Sequence, residues 1–99
     1  MINLTLYGKH SSNYEYLKSQ VLDIAKDAGI KLRLREIKDV NAFVSKSLTR
    51  IPSIEINNRL VINNVDIDAY LQEVNLVLLK EKEKESEAIK NLNVQTRKY

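Results

Sequence analysis

A chain of 99 residues with 43% apolar side chains and 29% charged ones suits one small domain with one core. It has no cysteine, which excludes disulfides, thiolate metal ligands and thiol redox chemistry, and its single histidine cannot build a multi-histidine metal site, although carboxylates could hold a hard cation. The net charge of +3 divides as +1 over residues 1–79 (10 basic, 9 acidic) and +2 over 80–99 (6 basic, 4 acidic), so neither part has the dense basic stripe of a nucleic-acid binder.

"INLTLY" (2–7) alternates and is rich in β-formers, as a strand would be. From Ser12 the period changes: Leu17, Val21, Ile24, Ala25 and Ala28 fall at helical spacing, and Gly29 stands where a left-handed C-cap belongs. "KLRLREI" (31–37) reads as a half-buried edge strand whose solvated side, Lys31, Arg33 and Arg35, discourages unwanted pairing. Asp39 caps a short predicted helix with Val40, Phe43, Val44 and Leu48 on one face. "IPSIEI" (51–56) and "RLVI" (59–62) read as strands joined through Asn57-Asn58, a pair suited to a type I′ hairpin. Asp66 can cap a last helix with Ile67, Tyr70, Leu71, Val74, Leu78 and Val77 inward.

The order is therefore β-α-β-α-β-β-α, an α/β mixed four-stranded sheet flanked by three helices. Helical crossovers between the first three strands favour parallel pairing, and the last pair is an antiparallel hairpin. Residues 1–79 form the domain, and 80–99 a charged helical extension expected to run to about Lys90 and then fray. Its alternating Lys and Glu place attractive pairs at i,i+3 and repulsive ones at i,i+4, which largely offset. It is read as solvated, with self-association through the extension as the alternative. No apolar run approaches the roughly 20 residues that span a bilayer, and "INLTLY" follows Met1 without a leader-like segment, so the expectation is a cytoplasmic protein away from membranes and nucleic acids.

The strand–turn–helix opening and the "RIPSIEINNRLVI" segment resemble the thioredoxin-like superfamily, at the size of its glutaredoxin members. The resemblance covers about residues 2–79. It implies a thioredoxin-like fold, a cis bond before Pro52, and a groove between that proline and the turn that opens the first helix. The family's Cys-x-x-Cys positions fall on Ser11 and Tyr14, or in the shifted register on Ser12 and Glu15; neither supplies a thiol. The family's thiol–disulfide exchange needs a thiolate, so it is excluded here. The glycines of the glutaredoxin Gly-Gly-x-Asp stretch are also missing from "INNVDI", where only Asp66 remains, and Arg50 beside Pro52 is left to meet a carboxylate.

Each residue of the turn also has a plainer reading. Ser12-Asn13-Tyr14-Glu15 fits a capping box, which accounts for Ser12 and Glu15 without catalysis. Ser-His chemistry through Ser11 or Ser12 and His10 would need an oriented base that no acid obviously supplies. Lys9, His10 and Arg50 can form a small basic rim for an anion. Tyr14 either fills the groove beside Pro52 or contacts a ligand there, while Tyr7, Tyr16 and Tyr70 read as core or half-buried rings. The leading expectation is a non-redox binding or adaptor module for a protein or extended peptide, without cofactor or metal, using Lys9, His10, Ser11, Ser12, Tyr14, Arg50, Ile51 and Pro52. The alternative is a protein that binds or acts on a small anionic, glutathione-like molecule through Lys9, His10, Ser11 and Arg50.

Overall fold

The computed structural model describes residues 1–63 and 66–97, with side chains described through Glu85. In chain order the elements are β1 (Ile2–Tyr7), α1 (Ser12–Asp27), β2 (Leu32–Ile37), α2 (Val40–Ser45), β3 (Ser53–Ile56), β4 (Arg59–Val61) and α3 (Ile67–Arg97). The strands form one mixed sheet in the order β2-β1-β3-β4. β1 pairs parallel with β2, Ile2 opposite Leu32 through Tyr7 opposite Ile37. It pairs antiparallel with β3, Leu4 opposite Ile56, and β3 pairs antiparallel with β4. The expected parallel pairing of the first three strands therefore stops at the second. A six-residue α2 rises only about 9 Å, so the chain re-enters the sheet from the end at which β2 left it.

Alternation along the strands creates two unlike faces. Leu4, Leu6, Ile54, Ile56 and Val61 pack with Tyr14, Leu17 and Val21 of α1 and with Tyr70, Leu71, Val74 and Leu78 of α3 in one continuous core. Tyr7 and Phe43 are buried outside that cluster, on the opposite face. There the buried Glu55 carboxylate accepts from the Tyr7 hydroxyl (3.4 Å) and from Lys46 Nζ (3.1 Å) at the end of α2.

Local stops and turns follow side-chain chemistry. α1 ends in a Schellman motif: Ile30 N–H donates to the Ala25 carbonyl (2.8 Å), Gly29 N–H to that of Lys26 (3.1 Å), and Gly29 takes φ +67°. α2 ends the same way, but with Ser47 at φ 54° in the left-handed position. Asn57 and Asn58 both take positive φ, 48° and 67°, as a type I′ hairpin requires. Asp39 caps α2 through Asn41 N–H (3.0 Å), and Asp66 caps α3 through Ala69 N–H (2.9 Å).

Three expectations need correction. Only Phe43 of the α2 face is buried; Val44 is 73% and Val40 49% exposed, because a helix of under two turns aims one side chain at the sheet. Tyr16 is also exposed, its hydroxyl donating to Asp68 Oδ1 at 3.0 Å. Finally, α3 continues as helix to Arg97, past the expected end near Lys90; Lys98 and Tyr99 lie outside the described residues.

Candidate functional site

The β1–α1 turn is built around its cap. Ser11 is extended (φ −162°, ψ 167°); its Oγ accepts from Tyr14 N–H at 3.1 Å, and its carbonyl starts the helix by accepting from Glu15 N–H at 3.0 Å. The cap thus sits one residue before the expected Ser12. Adjacent serines offer either register, and burial of Tyr14 with Leu17, Val21 and Ala25 selects the one that turns that stripe inward. Glu15 does not close a capping box: its carboxylate lies 3.1 Å from His10 Nδ1, and both groups are exposed.

Tyr14 belongs to the core. Its ring is fully buried, and its hydroxyl donates to Glu36 Oε1 on β2 at 2.6 Å, which Lys18 Nζ also approaches to 3.1 Å. Burial, and then Glu36, hold the Tyr14 hydroxyl well above the usual phenol range. Reciprocally, hydrogen bonds from Tyr14 and Lys18 hold the Glu36 carboxyl below the usual carboxylate range. Lys38 Nζ stands 5.9 Å from the ring centroid, within cation–π reach. Gly8 makes this packing possible: a Cβ there would stand 2.8 Å from Tyr14 Cδ2 and 3.3 Å from Pro52 Cα. The turn, the ring and the proline segment are therefore in direct contact through a residue whose lack of side chain is required.

On the other side of that contact the Ile51–Pro52 bond is cis, in keeping with the expectation from the resemblance. The segment is pinned at both ends, by Ser53 Oγ donating to the Arg50 carbonyl and by Asn63 Nδ2 donating to the Pro52 carbonyl (2.7 Å). Between those anchors Ile51 is 43% exposed, and among the described residues neither its N–H nor its C=O has a hydrogen-bond partner. Beside it runs an open groove of about 420 Å³ lined by Asn13, Arg50, Ile51, Pro52, Asn63, Asp66 and Ile67.

Of the residues singled out in the sequence, Arg50, Ile51 and Pro52 meet in this groove. Lys9, His10, Ser11 and Ser12 are exposed on the adjoining turn but do not line it, and Tyr14 lies beneath. The sequence does not mark Asn13, Asn63 or Ile67 for a groove, and it offers Asp66 only as a cap and a remnant of the glutaredoxin stretch. Tyr70, a core residue by its spacing, also has a second role. Its hydroxyl accepts from Ile54 N–H and donates to the Val61 carbonyl, both at 2.7 Å, bridging β3 and β4 two residues beyond Pro52. Burial pushes that hydroxyl up to about 12. The available signal was a tyrosine on an otherwise aliphatic face, whose polar tip must find a partner.

Among the described residues no group of three or more His, Asp or Glu side chains is placed to hold a metal ion, and no helix is long and apolar enough to cross a membrane. No protein-family model matches the chain, and no curated protein matches its sequence.

Proposed function

We propose that this chain is a thioredoxin-like domain without thiol chemistry, which binds an extended peptide in the groove between the β1–α1 turn and Pro52. The fold part of the reading is supported by the element order, the β2-β1-β3-β4 sheet with β3 and β4 antiparallel, and the contact of Pro52 with the turn through Gly8. The binding part rests on one observation: Ile51 is held between two pinned carbonyls at the lip of an open groove, and its own N–H and C=O have no partner among the described residues. An extended chain alongside it can satisfy both groups as an added strand would, with Ile51, Pro52 and Ile67 offering apolar contact and Asn13 and Asn63 polar contact. Without sulfur, such binding ends in release and not in a mixed disulfide.

The alternative, a small anionic ligand held by Lys9, His10, Ser11 and Arg50, is less well supported. Asp66 shares the groove with Arg50 and offsets its charge, and His10 is paired with Glu15.

Peptide display on the purified chain, run in parallel on Ile51→Asp, separates the two. A peptide groove yields extended sequences that bind with micromolar Kd, lose at least tenfold on Ile51→Asp, and are not displaced by glutathione or inorganic phosphate. Displacement by either anion, or equal binding to the variant, contradicts the peptide reading.

A further inference from the structure

On the far side of the molecule, β4 ends the sheet and carries a strand on one flank only. A two-residue hairpin makes Ile56–Arg59 the closing pair, so Leu60, opposite Glu55, turns its N–H and C=O away from β3 toward the free edge. Next to this edge lies an open groove of about 370 Å³ between β4 and α3, with Ile62 62% and Leu76 59% exposed along it. The opposite edge, β2, is guarded by Arg33 and Arg35; at β4 only Arg59, at the strand's start, plays that part.

Charge decides the occupant. Glu73, Leu76, Val77 and Lys80 line the groove from α3 at i, i+3, i+4 and i+7, so they form one stripe with an apolar centre and opposite charges at its ends. α3 runs back along the sheet: Tyr70 meets the Val61 carbonyl, while Lys82 donates to the Ala28 carbonyl and Glu85 lies 3.0 Å from the Met1 amino group. β4 is parallel in direction to β1, so Lys80 and Arg59 lie toward one end of the groove and Glu73 toward the other. Among the described residues Arg59, Glu73 and Lys80 take part in no ion pair.

We propose that this edge docks a second copy of the same chain about a twofold axis, joining β4 to β4 antiparallel with Leu60 at the centre. Inverting the stripe on itself sets Glu73 of one copy against Lys80 and Arg59 of the other and packs Leu76 and Val77 against their counterparts. The contact is isologous, as a closed dimer requires. It buries exposed apolar side chains and supplies partners for the outward backbone groups of Leu60.

The test is sedimentation equilibrium on the full chain and on two charge reversals, Glu73→Lys and Lys80→Glu. The native chain should sediment at twice 11.4 kDa at high micromolar concentration. Each reversal alone places like charges at both ends of the contact and should weaken dimerisation at least tenfold. An equimolar mixture of the two restores opposite charges at both ends and should recover the dimer. Three results overturn the proposal: a monomeric native chain at all concentrations, a dimer that survives either reversal unchanged (which points to the α3 extension), or a mixture that stays monomeric.

Discussion

The two faces of the sheet are stabilised in different ways. Toward α1 and α3 the strands present mostly apolar side chains, with Glu36 and Arg59 at the flanks, and one cluster runs from Ile2 to Leu78. Toward α2 two aromatics, Tyr7 and Phe43, are buried, and a charged residue, Glu55, is the hub that ties Tyr7 to Lys46. The first face secures the fold chiefly by area removed from water. The second is held by a few polar contacts, and its helix leaves Val40 and Val44 in solvent. A small domain can thus rest its stability on one face and leave the other free to vary.

The largest effect should come from cutting into the first face. Leu17 is fully buried, and Leu17→Ala should lower unfolding free energy by about 3 kcal/mol through lost transfer and a residual cavity, read as a shift in urea midpoint at constant m-value. Tyr70→Phe should come next, at about 2 kcal/mol, because the buried Ile54 N–H and Val61 C=O both lose their partner; a change within 0.5 kcal/mol, on the order of a surface substitution, would mean that the strands close up without it.

On the second face Glu55→Gln should change stability at neutral pH by only about 1 kcal/mol, since a buried carboxylate and its contacts are lost together. The clearer signature is in alkali. Burial and then Glu55 raise the Tyr7 hydroxyl above its ordinary 10.0, and hydrogen bonding to Glu55 raises Lys46 above 10.5. Both groups bind their protons more tightly in the folded chain, so this stabilisation is complete below pH 10 and is lost as pH rises through the folded values. Urea unfolding at pH 9 and pH 11 should show a smaller drop for Glu55→Gln than for the native chain; an equal drop assigns the alkaline loss to other groups. The smallest effect is a gain. Ser47→Gly relieves a left-handed backbone at the end of α2 and should add about 0.5 kcal/mol, net of the entropy of glycine.

The first face was legible in the sequence because burial there follows period: Leu17, Val21 and Ala25 at helical spacing, and strict alternation in "INLTLY". Asn57-Asn58 and Gly29 were legible because few residues tolerate positive φ. The second face was not, since Glu55 in "IPSIEI" looks solvated until Tyr7 and Lys46, 48 and 9 residues away along the chain, are brought to it. The candidate groove was half legible. Pro52 and its neighbours stood out as the only proline and its flanks, whereas Asn13, Asn63 and Ile67 are ordinary polar and apolar residues that become a wall only when three elements converge.

The most direct measurement is amide chemical-shift mapping of the labelled chain titrated with a display-selected peptide. Binding alongside Ile51 moves the amides of Asn13, Ile51, Ser53 and Asn63 together along one saturating curve, leaving those of β2 and of the β4 edge in place. Saturating shifts confined to another surface, with these four unmoved, would contradict the groove as the site.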